Sequence, residues 1–221
     1  MNNLEPIFDS IREEMEARNA ARDATLARSR ELIRHCANAI KAVHRSEWDV
    51  AEAGLETART AAQQMVEGVA EFPELYHTGF TQDALKEYVE AFVIAALVRG
   101  ADRLPTPQEL DVPGATYLNG LAEAASELRR SILDIIRLHH TDEAERNLES
   151  MDTIYNGLMT FDFPDAVTYG LRRRVDSLRG VLERTRGDLT NSLRQQKLHR
   201  ALVRLQKELK AAGFADTDPA P

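Results

Sequence analysis

Apolar positions in this chain recur three or four residues apart, the spacing of helices, and nowhere alternate like a strand bounded by hairpin turns. Over residues 6–44 the stripe Ile7, Ile11, Met15, Leu26, Leu32, Ile33, Cys36, Ile40 and Val43 predicts one very long helix. Pro6 suits its first turn, where a missing N–H costs nothing. A second helix is predicted over about 47–70, stopping before Pro73. Residues 72–80, with Pro73 and Gly79, lead into a third helix over 83–98, which Thr81 is placed to cap. Gly100, Pro105, Pro107, Pro113 and Gly114 crowd the clearest loop. A fourth helix follows over about 115–138 and a fifth over 141–159, with Asp142 and Glu143 in its first turn as the helix dipole favours. Phe161-Asp-Phe-Pro164 breaks the chain; a sixth helix starts near Asp165 and a seventh ends near Ala212, with the junction at Gly187. The pattern predicts an all-α fold, a seven-helix bundle forming a single domain over residues 1–213, with 214–221 a disordered tail.

The third helix carries the chemical signal. From Tyr88 onward it is apolar almost all round, the mark of a helix buried among others, yet Glu90 sits inside that run. An ionised carboxylate there needs a partner or a metal, or its pKa shifts. Glu87 lies three residues earlier, about 60° around the helix, so both side chains can share one space. On the fourth helix Glu123 and Glu127 are four apart and project together, beside the stripe Leu121, Ala125, Leu128, Ile132 and Ile135. Two such pairs on neighbouring helices make a four-carboxylate cluster. Carboxylates with water suit Mg²⁺ or Mn²⁺, ions that activate water and stabilise a phosphoryl transition state.

Acidic pairs are common in a chain with 36 acids, and most face solvent; Glu71/Glu74 and Glu145/Glu149 are read so. Arg129 and Arg130 adjoin the second pair and are candidates to hold a phosphate beside a metal. The run Arg172–Arg174 with Arg179, and the stretch from Arg194 to Lys210, read as helix exteriors. None of the six histidines forms a His-x₃-His or Glu-x-x-His pattern on a core face, so structural or surface roles are expected of each. There is no Gly-rich phosphate loop and no nucleophile elbow.

Composition narrows the class. With 43% apolar and 29% charged residues the chain is globular rather than disordered. Its one cysteine, Cys36, excludes an internal disulfide framework or a cysteine-built metal site, and reads as a small core residue in a reducing, cytoplasmic setting. No run approaches 18 apolar residues and the start shows no signal-peptide pattern, so no membrane association is expected. The net charge of −8 argues against a basic coat for nucleic acid, while leaving room for a local basic patch.

Four segments in order, Lys86-Glu-Tyr-Val-Glu-Ala91, Tyr117-Leu-Asn-Gly-Leu-Ala-Glu-Ala-Ala-Ser-Glu-Leu-Arg-Arg130, Tyr155-Asn-Gly-Leu and Leu171-Arg-Arg-Arg-Val-Asp-Ser-Leu-Arg179, resemble the translin/trax family. The resemblance covers most of the chain, to about Glu183. It implies a seven-helix fold assembled as a closed octameric shell around single-stranded RNA or DNA. Trax-type members are Mg²⁺-dependent endoribonucleases, and their carboxylates match Glu87, Glu90, Glu123 and Glu127; the third is typically Asp, one methylene shorter than Glu123. Translin-type members bind nucleic acid without the full acidic set and carry a basic, histidine-containing stretch before the third helix, of which only His77 stands here. The loop after Gly100 is shorter than in animal trax proteins, as in a compact prokaryotic or archaeal-type member acting as a homo-oligomer. The resemblance thus implies a Mg²⁺- or Mn²⁺-dependent endoribonuclease on single-stranded RNA. The rival readings are a non-catalytic single-stranded RNA- or DNA-binding assembly protein and a plain helical scaffold.

Overall fold

A computed structural model describes residues 4–138 and 141–212. Among them every regular element is helical, and no helix is long and apolar enough to cross a membrane. Six long helices carry the fold: α1 (Leu4–His44), α2 (Trp48–Glu67), α4 (Gly79–Arg99), α6 (Gly114–Arg137), α7 (Thr141–Leu158) and α9 (Leu171–Ala211). Three single turns, α3 (Pro73–Tyr76), α5 (Pro107–Leu110) and α8 (Asp165–Thr168), sit in the connections. Helices α4 and α6 pack side by side at the centre, α1 with α2 covers α4, and α7 and α9 flank α6.

The core is the meeting of these stripes. Leu32 and Cys36 of α1, Leu85, Tyr88, Val89 and Ile94 of α4, Leu128 and Ile132 of α6, Met151 of α7 and Leu178 of α9 are all essentially inaccessible. Each such large apolar side chain contributes roughly 1.5–3 kcal/mol through burial. The small residues Ala84, Ala91, Ala122, Ala124 and Ala125 are equally buried and let α4 and α6 approach closely. Gly120 marks the tightest point: a Cβ there would stand 2.6 Å from Val89 Cβ and 2.8 Å from the Lys86 carbonyl oxygen. Only glycine fits.

Two boundaries differ from the sequence expectation. Helix α4 starts at Gly79, after an N-cap at Thr78, not at a Thr81 cap. Thr81 is buried in its first turn, where its hydroxyl donates to the Leu75 carbonyl at 2.7 Å, and Gln82 Nε2 donates to the Tyr76 carbonyl at 2.6 Å. Side-chain bonds back to α3 thus fix the entry of α4. The chain also runs straight through Gly187 inside the 41-residue α9. The break lies earlier, at Tyr169 and Gly170, whose φ values of 50° and 80° are left-handed and stop α8 after one turn. One glycine in a helix costs only about 1 kcal/mol; two successive left-handed residues end it outright. The expected tail over 214–221 lies outside the described residues.

Hydrogen bonds fix the direction of the long helices. Gln82 meets Thr116, Asn119 meets Thr168 and Arg174, His44 meets Glu127 and Ser131, and Arg129 meets Thr185 and Asp188. Second points on α1 and α4 come from Arg18 on Glu74, Cys36 beside Glu87 and Glu90, and Lys86 on Glu123, so helices α1, α4, α6 and α9 run the same way through the bundle, each numbered upward from the Thr116 end to the Ser131 end.

Candidate metal and nucleic-acid site

Helix α4 buries Tyr88, Val89 and Ala91 on its apolar sides, which leaves Lys86, Glu87 and Glu90 in a narrow polar window facing α6 and α1. The close approach at Gly120 carries the next turn of α6, with Glu123 and Glu127, alongside that window. Lys86 Nζ stands 2.9 Å from Glu87 Oε1 and 3.4 Å from Glu123 Oε1, so one ammonium bridges carboxylates of two helices. Arg174 of α9 donates from Nε to Glu123 Oε1 at 3.1 Å, and from Nη1 to Asn119 Oδ1 at 3.0 Å and the Tyr169 carbonyl at 3.1 Å. At the other end of the window Glu127 Oε1 lies 2.7 Å from Nε2 of His44, whose Nδ1 lies 3.3 Å from Ser131 Oγ.

Electrostatics bind the four glutamates into one group. Burial pushes the Glu90 carboxyl up to about 8, and the charges of Glu87, Glu123 and Glu127 push it the same way, with Lys86 partly opposing. Three like charges on two helices thus act on one carboxyl group, as spacing along each helix alone could only suggest. The Cys36 thiol is driven far up by burial and by Glu87 and Glu90, which seats α1 against the same pair. Burial lowers Lys86, but the hydrogen bond and charge of Glu87 and the charge of Glu123 outweigh it and hold the ammonium above its ordinary value.

The glutamates share a field without forming a ligand cage. Among the described residues no three His, Cys, Asp or Glu side chains stand at metal-holding spacing. Protein side chains occupy that role: the Lys86 ammonium between Glu87 and Glu123, the Arg174 guanidinium on Glu123, and the His44 ring nitrogen on Glu127.

The arginines divide. Arg129 is tied to α9, donating to Thr185 Oγ1 at 3.1 Å and Asp188 Oδ2 at 2.7 Å. Arg130 is 55% exposed and only 3.8 Å from Glu127, so it stands at the rim of the site with its guanidinium in solvent. Of the run Arg172–Arg174, the last turns inward onto Glu123 and the middle one lines a 290 Å³ cavity with Glu123, Ser126, Arg174 and Ser177. Glu71, Glu74, Glu145 and Glu149 are exposed, as the sequence reading has them.

Sequence reasoning missed three residues of this site. His44, whose side chain is 2% exposed, lies four residues beyond Ile40 on the buried stripe of α1, and that position was its only signal. Lys86 was visible as a cation at the edge of the apolar run, and Arg174 as the third of three arginines. The glutamates of α6 that place them in the site, Glu123 for Lys86 and Arg174 and Glu127 for His44, sit 37 to 83 residues away, beyond any local pattern.

No protein-family model matches the chain. Its backbone superposes on AfC3PO, a translin/trax-family complex, in a complex with duplex RNA, with a TM-score of 0.77 and 34% identity, covering 84% of this chain and 95% of that one. The chain belongs to the translin/trax family. A crystal structure of AfC3PO gives a TM-score of 0.76 at the same identity, over 84% and 96% of the two chains. Among curated sequences, an uncharacterized protein of Methanocaldococcus jannaschii is 32% identical over 192 residues, 86% of this chain and 84% of that one. Apo-NeC3PO, at 20% identity, shares the fold, with a TM-score of 0.76 over 85% and 97% of the chains. The all-α translin-type architecture expected from the sequence is the one observed.

Proposed function

We propose that this translin/trax-family chain is a Mg²⁺- or Mn²⁺-dependent endoribonuclease that cleaves single-stranded RNA within a homo-oligomeric, octameric shell. The observation that carries the reading is Glu90, a carboxyl group raised to about 8 by burial and by Glu87, Glu123 and Glu127 together. A buried carboxyl group that must hold a proton or a cation, with three more glutamates around it, has the all-oxygen donor chemistry of a hard divalent ion. RNA as the polymer is supported by kinship with AfC3PO, solved with duplex RNA. When bound, the metal supplies an activated water and neutralises charge developing on the phosphate.

The chain's own residues prepare the site. His44 orients Glu127, and Arg174 holds Glu123 by a charge-assisted bond. Lys86 balances Glu87 and Glu123, two of the carboxylates that would hold the ion together with Glu90 and Glu127. Arg130, at the rim, receives a backbone phosphate, whereas Arg129 serves mainly to tie α6 to α9. The apolar wall of Tyr88, Val89 and Ala91 keeps water from the rear of the cluster.

One observation favours a second reading. Because Lys86 and Arg174 already balance Glu87 and Glu123, a non-catalytic RNA- or DNA-binding assembly protein would also be stable with this arrangement. Incubation of end-labelled single-stranded and duplex RNA with the protein, in Mg²⁺ and in EDTA, separates the two. Internal cleavage of the single strand only in Mg²⁺ is the expected result; retention of intact RNA in both would support the binding protein instead.

A further inference from the structure

The two longest helices overrun the bundle at opposite ends. The last fixed contact of α1 at its beginning is Arg18 on Glu74 of α3, and residues 4–20 before the core are exposed on every side. Because α1 and α9 run the same way through the molecule, α9 leaves the bundle at the other end, and residues 197–212 are again exposed all round. Each overhang carries an apolar stripe. On α1 these are Leu4, Ile7, Phe8, Ile11 and Met15, the last 62% exposed; on α9 they are Leu198, Leu202, Leu205 and Leu209 with Val203, Leu198 being 61% exposed. The α9 spacing of four, three and four is the seam of a helix meeting another helix. It is not leftover core pattern: Leu198 lies nine residues after buried Leu189, about half a turn around the helix. Both stripes span 12 residues, roughly 16 Å of helix at ~1.5 Å per residue.

Charge chooses the partner. Residues 4–16 carry five acids, Glu5, Asp9, Glu13, Glu14 and Glu16, against Arg12. Residues 194–211 carry Arg194, Lys197, Arg200, Arg204, Lys207 and Lys210 against Glu208. Pairing α1 with α1, or α9 with α9, sets like charges beside an apolar seam; pairing α1 with α9 sets opposite ones. Being at opposite ends, the two overhangs of one chain do not reach each other. We propose that the acidic overhang of α1 docks on the basic overhang of α9 from a second copy of this chain. Where α1 of each copy docks on α9 of the next, the contact is heterologous, and repeated around a closing rotation it yields a ring. The inference rests on the oligomeric shell proposed above and specifies how it is joined.

Light scattering of the full-length protein at micromolar concentration and about 0.1 M salt, where surface charges still act over about 10 Å, tests it. Two sets of reversals are used: Glu5→Lys, Glu13→Lys and Glu16→Lys on α1; Arg200→Glu, Arg204→Glu and Lys207→Glu on α9. Each set alone should shift the mass toward the monomer, and both sets in one chain should restore the wild-type mass. Ile11→Asp and Leu202→Asp should each shift it in the same direction, with helical content by circular dichroism unchanged. An oligomeric wild type whose mass ignores either set, or whose combined variant stays dissociated, overturns the α1–α9 pairing and leaves the shell. A monomeric wild type overturns both.

Discussion

Glu90 shows what a single residue costs when a site is built in a core. Unfolded, its carboxyl group titrates near the ordinary 4.5; folded, near 8. Between those values the native state holds a proton that the unfolded state has released, so stability falls as pH rises from about 4.5 to 8 and is level beyond. The slope is up to about 1.4 kcal/mol per pH unit. Glu90→Gln removes that slope: in EDTA, the variant's stability advantage over wild type should grow to a few kcal/mol by pH 8, measured by urea unfolding across pH. An advantage that stays constant with pH would show that Glu90 does not titrate in this window. Lys86 is the counterpart. Lys86→Met removes the ammonium between Glu87 and Glu123, so the metal-free protein should lose about 1.5–3 kcal/mol, the worth of a charged hydrogen bond. Mn²⁺ should then bind about tenfold more tightly by calorimetry, equivalent to ~1.4 kcal/mol of relieved competition. The glutamates were legible because a carboxylate in an apolar run is conspicuous. His44 and Arg174 were not, because their significance lies in partners on other helices.

At the scale of elements, the register between α4 and α6 decides whether four glutamates meet. Gly120 sets it, since any Cβ there strikes Val89 and the Lys86 carbonyl, one turn from Glu123. Gly120→Ala should gain up to ~1 kcal/mol in helix propensity and lose about 1–3 kcal/mol to overpacking. The net expectation is a lower urea midpoint with weaker Mn²⁺ binding, because the helices part where Lys86 meets Glu123. Gly187→Ala, where the helix is exposed and nothing lies within 4 Å of a Cβ, should raise stability slightly and leave metal binding alone. The contrast explains what the sequence could show. Five of the long helices followed from apolar spacing and from Pro or Gly between them. The junction assigned to Gly187 did not hold, because a glycine permits a break without requiring one. The actual stop needs Tyr169 in a left-handed conformation, held there as its carbonyl accepts from Arg174. A tyrosine gives no local sign of that.

For the whole molecule, fold and family agree: an all-α chain that superposes on AfC3PO over most of its length, with its acidic cluster at the meeting of α1, α4 and α6. Net charge of −8 is compatible with an RNA partner because charge is distributed unevenly, acidic on the α1 overhang and basic along α9. Glu87, Glu90, Glu123 and Glu127 are proposed to form one catalytic metal site. The most direct test of that proposal is the single-turnover cleavage rate of single-stranded RNA in Mg²⁺, for wild type, Glu90→Gln and Glu127→Gln, with Glu145→Gln as the exposed control. Each Gln substitution keeps size and removes charge, so both site variants should lose at least 10²-fold in rate, the scale of one electrostatic catalytic contact. RNA binding and helical content should persist, and Glu145→Gln should match wild type. Cleavage at the wild-type rate by both Glu90→Gln and Glu127→Gln would contradict the account.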